Sequence, residues 1–345
     1  MKKMTIGITA LAVCLITVNC QKPGGRSGMP LIAVQGNRFV DANGKQVIFR
    51  GLDFSDLDKL ESEGHWSEAH FAEARAWGAN IVRLAVHPKW WRDRGHENYL
   101  ALLDEGIDWA EKLQLYVIID WHSIGNLKDE LFFGDIYQTS QEETFEFWRT
   151  VAMRYKNRPH VAFYELYNEP TFYNEQLGTL TWNDLKVLWE ALIDTIYAID
   201  DTVIPLVAGL DWGYSLAEVI QNPVERPNVG YVTHPYPQKV DQPWEPKWER
   251  DFGHVADRYP VVATEFGFVL ADEKGAHIPC ISDETYGKHI VNYFTKKGIS
   301  WTVWCFDPDW APVLIVDWDY SLSTQGKFFK NVLLNRQYSF SDTEE

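Results

Sequence analysis

Two glutamates carry the chemistry this sequence offers. Glu169 stands in Tyr167-Asn168-Glu169-Pro170 and Glu265 in Thr264-Glu265-Phe266-Gly267, each closing a short apolar run. A pair of carboxyls suits cleavage of a glycosidic bond: one donates a proton to the leaving oxygen, the other attacks the anomeric carbon or activates water. A separation of about 5–5.5 Å implies retention through a covalent intermediate, and a wider gap implies inversion. Glu169 is assigned here to the acid/base and Glu265 to the nucleophile. Arg83 and the Tyr236 hydroxyl are expected to favour an ionised Glu265. Partial burial and the charge of Glu265 are expected to keep Glu169 protonated.

Positioning these groups falls to eight β-branched runs, at 46–52, 79–86, 115–121, 161–167, 203–209, 229–234, 260–266 and 299–306. Most are apolar nearly throughout, as strands buried on both faces are. A helix-length segment is expected after each, with clear helical patterning at 67–78, 99–113, 141–156, 182–200 and 283–298. This alternation predicts an α/β fold: a closed (β/α)8 TIM barrel in a single domain. An open doubly wound sheet is the alternative, and no G-x-G-x-x-G follows the first strand to support it. Ahead of strand one, NRFVDANGKQVI reads as a short β-hairpin around Asn43-Gly44, placed at the barrel bottom as a plug.

In such a barrel the chemistry gathers at the C-terminal ends of the strands. Arg83, Asp120-Trp121-His122, Tyr167 to Pro170, His234-Pro235-Tyr236, Glu265 and Trp304-Cys305-Phe306 stand at six of those ends. Burying ionisable side chains is costly unless they are paired. A purely structural barrel has no need of so many exceptions at one rim.

On these motifs the sequence resembles glycoside hydrolase family 5, the cellulase-type retaining enzymes of the clan A barrels, over residues 31–335. The family carries an Arg, a His, an Asn-Glu pair, a His-x-Tyr, a Glu and a Trp in that chain order. Arg83, His122, Asn168, Glu169, His234, Tyr236, Glu265 and Trp304 match them in order. The resemblance implies retaining hydrolysis of a β-linked polysaccharide or oligosaccharide, without a cofactor. It implies that Asn168 bonds a sugar 2-hydroxyl, that His122 and His234 bond sugar hydroxyls or Glu169, and that Trp304 offers a flat face to a pyranose ring. Trp90, Trp91, Trp121, Trp212, Trp244, Trp310 and Trp318 lie near the same rim, as further platforms or as packing. A metal is not expected, because RGLDFSD (50–56) holds no His-x-His at the end of strand one. An endo-β-1,4-glucanase is the leading activity. An endo-β-1,4-mannanase and an exo-acting β-glucosidase are the alternatives, the latter favoured if the 307–320 loop covers one end of the cleft. A non-catalytic surface glycan-binding lipoprotein is the alternative of another class, and it has no need of both glutamates.

Composition excludes other classes. Asp+Glu number 49 against 32 Lys+Arg, a net charge of −17, so there is no basic footprint for nucleic acid. The 16 Trp, 16 Tyr and 18 Phe suit either stacking on sugars or a large aromatic core. Residues 1–20 read as an export signal: Lys2 and Lys3 precede an apolar stretch, Ile6 to Val18, too short to span a bilayer. Cys20 occupies a lipoprotein cysteine's position, although Thr17 and Asn19 depart from that pattern; cleavage nearby and free secretion is the alternative. Residues 21–30 form a flexible tether, 31–335 the catalytic domain and 336–345 a polar tail. Membrane contact is expected only through a lipid on Cys20, and the chain is expected to be an exported monomer, secreted or held at the cell envelope. Cys280 and Cys305 would be a disulfide or two buried thiols.

Overall fold

The computed structural model describes residues 28–340. The expected export signal, Cys20, most of the tether and the last five residues of the tail lie outside the described residues. Eight parallel strands close into a barrel. They are β1 (Arg50–Phe54), β2 (Ile81–Val86), β3 (Tyr116–Trp121), β4 (Val161–Glu165), β5 (Ile204–Ala208), β6 (Gly230–Val232), β7 (Val261–Ala263) and β8 (Ser300–Val303). Each pairs with its neighbours in sequence, and β8 closes on β1.

Inward side chains along the strands change character from bottom to top. Ile81, Ile118 and Phe163 belong to an apolar cluster with Ile204, Leu206, Val232 and Val262. Two residues further along β2, β3 and β4 stand Arg83, Asp120 and Glu165, all fully buried. Alternation by two puts these on the same face as the apolar layer beneath them. The intervening Val82, Val117, Ile119 and Tyr164 pack in the other cluster, between barrel and helices. Register then aligns the charged layer: Asp53 pairs with Arg83, and Asp120 with Glu165.

The floor is sealed by the N-terminal segment. Ala33–Gln35 pairs antiparallel with Arg38–Val40 around Gly36-Asn37, so the hairpin turns earlier than the expected Asn43-Gly44. Gly36 has φ +62°, the left-handed backbone that a tight hairpin turn requires and glycine adopts at no steric cost. The 41–46 stretch adds only an isolated bridge, Val40 to Gln46. Phe39 reaches Phe163 edge to face at 5.0 Å, and Phe49 does the same. The first barrel strand accordingly begins at Arg50 rather than at 46, because Phe49 belongs to the plug. Beyond the last helix, Tyr338 covers the Arg50 guanidinium at 3.6 Å.

Among the described residues, six principal helices surround the barrel, at Glu68–Ala76, His96–Leu113, Gln141–Tyr155, Trp182–Tyr197, Glu284–Lys297 and Thr324–Asn335. The expectation of a helix after every strand fails between β5 and β6, where 209–229 holds only turns. Gly209, Gly213, Pro223 and Pro227 punctuate that segment and prevent a continuous run of helical hydrogen bonds. Much of the tryptophan is structural. Trp77, Trp91, Trp121, Trp148, Trp189, Trp248 and Trp301 are fully buried. The indoles of Trp148 and Trp189 donate to the carbonyls of Leu166 and Ala208, satisfying backbone groups where strands end. Cys280 and Cys305 are separate buried thiols. No helix among the described residues is long and apolar enough to cross a membrane.

Candidate active site

The eight residues expected at the site come together at the C-terminal rim. Glu169 follows β4 in a two-residue strand with Pro170, held by its backbone N–H to the Ser123 carbonyl at 3.1 Å. Glu265 lies two residues past β7. Oxygens of Glu169 and Glu265 and a nitrogen of His234 all lie within 4.8 Å of one another. Both carboxyls are nearly buried, at 7% and 8% exposure, so their mutual influence is barely screened by water.

Arg83 organises the layer beneath. Its Nε and a terminal nitrogen grip Glu165 at 2.7 and 2.9 Å, a bidentate pair. That terminal nitrogen also donates to Asn168 Oδ1 at 2.7 Å and lies 3.0 Å from Asp120. The other terminal nitrogen is 3.5 Å from Glu265 Oε2 and 3.8 Å from Asp53. Tyr236 donates its hydroxyl to Glu265 Oε1 at 2.9 Å. With its oxygen taken by Arg83, Asn168 leaves a buried Nδ2 without a protein partner. That amide is suited to a hydroxyl brought by a ligand.

His234 couples the two layers. Nδ1 lies 3.0 Å from Glu169 Oε1 and Nε2 3.0 Å from the Thr264 hydroxyl, which itself donates to Glu165 at 3.0 Å. Burial alone would lower its pKa, but bonds to Glu165 and Glu169 and the charge of Glu265 push it up to about 10. The imidazolium then donates from both nitrogens and has no lone pair for a metal. So although Glu169, His234 and Glu265 are close enough to surround a cation, this donor set offers only two carboxylates. His122 is the opposite case. It shares a 2.6 Å bond with Asp120, and burial together with His87 and Arg83 holds its pKa well below the ordinary imidazole value, so it is neutral.

Carboxyl electrostatics differ from expectation in one respect. For Glu265, burial is the largest effect and raises the pKa. His234, Arg83 and the Tyr236 hydroxyl pull it down while Glu169 pushes it up, and the net shift is upward. Arg83 and Tyr236 therefore favour ionisation, as expected, but are outweighed by desolvation. Burial likewise raises Asp53 and Asp120 well above the usual carboxylate range, against the pull of Arg83. Glu165 instead ends below its ordinary value, because Arg83 and His234 overcome its burial.

Trp304 packs parallel to His122 at 5.4 Å and 8°. Its carbonyl and that of Pro312 accept from Gln325, whose Oε1 accepts from the Phe268 backbone, so the 324–335 helix pins the Trp304 strand end. The other candidate tryptophans divide. Trp91 and Trp121 are core, packed on Phe147. Trp244 is buried against Trp248 and Tyr286. Trp318 stacks on His65 at 3.9 Å. Trp90, Trp212 and Trp310 are partly exposed, as is Trp318. Trp212 borders a cavity of about 580 Å³, shared with Thr171, Tyr173, Tyr214, Lys239 and Asp251.

The sequence reading missed Asp53, Glu165 and Thr264 as parts of the site and passed over His87. A signal was present: a charged residue at an inward position of an otherwise apolar strand. Reading the runs as uniformly buried hid it.

Fold and site define a (β/α)8 barrel with a paired-carboxylate rim. The chain belongs to the cellulase family, glycosyl hydrolase family 5, whose model matches residues 40–309. A β-glucanase from Saccharophagus degradans, solved in complex with cellotetraose, is 47% identical, with a TM-score of 0.88 over 89% of this chain and 94% of that one. Endoglucanase A of Butyrivibrio fibrisolvens is 28% identical over 252 residues, 71% of this chain and 53% of its own length. An endoglucanase of Paenibacillus polymyxa is 25% identical over 82% of each. The chain thus spans about half the length of the first two curated relatives it matches.

Proposed function

We propose that this chain hydrolyses β-1,4-linked glucan by double displacement, cutting within the polymer. The observation that carries this reading is the approach of the Glu169 and Glu265 oxygens to within 4.8 Å at one rim. An approach of single oxygens this close favours the roughly 5–5.5 Å carboxyl separation of retaining enzymes over the about 6.5–9.5 Å of inverting ones. Glu265, aligned by Tyr236 and Arg83, attacks the anomeric carbon. Glu169, with one oxygen tethered to His234, protonates the leaving oxygen. It then deprotonates the water that releases the glycosyl enzyme. The free Asn168 amide bonds the 2-hydroxyl as charge develops. β-Glucan as substrate is supported by relatives named endoglucanase and by the β-glucanase solved with cellotetraose. On this reading the chain is exported through residues 1–20 and acts outside the cytoplasm, anchored at Cys20 or released.

Reducing-sugar release from carboxymethylcellulose, glucomannan and xylan tests this. Glu265→Gln is expected to lose more than about 10³-fold on every substrate. Glu169→Ala is expected to lose activity on polymer while sparing activated aryl glycosides, whose leaving groups need no proton. Persisting turnover in Glu265→Gln, or equal collapse of Glu169→Ala on both substrate types, refutes the assignment. No turnover by the wild type on any glycan would favour a binding protein instead.

A further inference from the structure

We propose that Glu165 and Thr264 are positioning residues that fix His234 as a cation donating from both ring nitrogens, and that this one charge sets the pH window of the Glu169–Glu265 pair. The inference rests on the glycosidase reading above. Glu165 and Thr264 are fully buried, so they reach no substrate and act through the imidazole.

The chain of hydrogen bonds runs in one direction. Both Glu165 oxygens are gripped by Arg83, so this side chain is a carboxylate and only accepts. The Thr264 hydroxyl has a single hydrogen, and it is donated to Glu165 Oε1 at 3.0 Å. What Thr264 turns to His234 is therefore a lone pair, and Nε2, 3.0 Å away, must carry hydrogen. Glu165 Oε1 is itself 3.6 Å from Nε2, so a negative charge lies directly behind the ring. On the other side Nδ1 meets Glu169 Oε1 at 3.0 Å. With Nε2–H fixed, a neutral ring would turn a lone pair to that oxygen and draw the acid's proton onto it, away from the leaving group. A cationic ring donates there instead, and the proton of Glu169 is left on Oε2 for the leaving oxygen.

Both ends of this link are anchored. The His234 backbone N–H donates to the Gly213 carbonyl at 3.1 Å, and the Thr302 hydroxyl donates to the Thr264 carbonyl at 2.7 Å. Around the imidazole stand the carboxyls of Glu165, Glu169, Glu265 and Asp120, with Arg83 and His122 the other basic groups of the layer. Asp53 and Asp120 lie well above the carboxylate range, His122 is neutral, and Glu169 carries the catalytic proton. Two negative charges remain, on Glu165 and Glu265; Arg83 balances one and His234 the other. Glu169 also feels Asp211, Cys280 and the phenols of Tyr137, Tyr167 and Tyr236, none of which is a cation. A cation 3.0 Å from Glu169 and within 4.8 Å of a Glu265 oxygen favours the ionised form of both carboxyls, so losing it raises both pKa values together.

The test is Thr264→Val, which keeps the shape of the side chain and removes the hydroxyl. Nε2 then has no acceptor, and the ring gives up that proton more readily. With the cation lost, both limbs of the kcat/KM profile on carboxymethylcellulose are expected to move to higher pH by about one pH unit or more, and Thr264→Ser to restore them. An activated aryl glycoside should show the acid-limb shift alone, since its departure needs no proton from Glu169. A merely structural role would lower Tm and rate with both limbs in place. Limbs that stay, or that move to lower pH, overturn the proposal. Nitrogen NMR of isotopically labelled histidine reads the charge directly and needs no turnover. The His234 signals, assigned by their loss in His234→Asn, should show both nitrogens protonated in the wild type near neutral pH and one of them released in Thr264→Val. A neutral wild-type ring overturns the proposal even where Thr264→Val does not fold. A wild type that turns over no glycan overturns the hydrolase reading, and the NMR spectrum then still decides the state of His234.

Discussion

Glu265 stands between opposing pulls, and its neighbours decide when it can act. Burial raises its pKa, and the Tyr236 hydroxyl bond is among the contacts that oppose the rise. On the proposed assignment Glu265 is the nucleophile and must be ionised, so kcat/KM is expected to fall on acidification through a pKa above the ordinary glutamate value. Tyr236→Phe removes a bond made to the charged form. The sign follows: the pKa rises further, the acid limb of the kcat/KM profile moves to higher pH, and activity near neutrality drops about tenfold. A limb that stays put or moves to lower pH would show that Tyr236 does not hold this carboxylate. At this scale most of the site was legible, because motif residues such as Asn168-Glu169-Pro170 and His234-x-Tyr236 are rare in combination. Glu165 was not, although it takes the strongest grip of Arg83. A lone charge inside VAFYELY signals a buried partner, but which residue that is depends on a strand distant in sequence.

Loops set the site's precision, and the β5–β6 connection shows how. Gly213 has φ +69°, and a Cβ there would lie 3.1 Å from His234 Nδ1, the nitrogen that bonds Glu169. Gly213→Ala is expected to cost about 1–2 kcal/mol from the left-handed backbone alone. It should also displace the imidazole and reduce kcat, read by thermal melting and initial rates together. A melt shift without a kcat change would mean that the loop moves and the histidine does not. This connection was read wrongly from sequence, since a helix was expected after every strand. Repeats predict the average unit, whereas Gly209, Gly213, Pro223 and Pro227 write a turn-rich exception locally. The barrel strands themselves were located well, because a doubly buried parallel strand must be apolar on both faces.

The whole molecule separates stability from chemistry along the barrel axis. Phe39, Phe49 and Phe163 seal one end, and the charged layer and rim occupy the other. Phe39→Ala should lower stability by about 3–5 kcal/mol, seen as a lower Tm, with kcat unchanged at temperatures where the protein stays folded. A fall in kcat in proportion to stability would mean that the floor and rim are not independent. The sequence by itself determined the barrel, the carboxyl pair and the family. Strand periodicity and motif order are properties of the chain, and closing eight such strands leaves few places for their ends. Tertiary structure alone decided which tryptophans face the cleft, which thiols stay apart and how five buried carboxyls share two cations. Those outcomes depend on which side chains, distant in sequence, become neighbours once the barrel shuts and water is removed from between them.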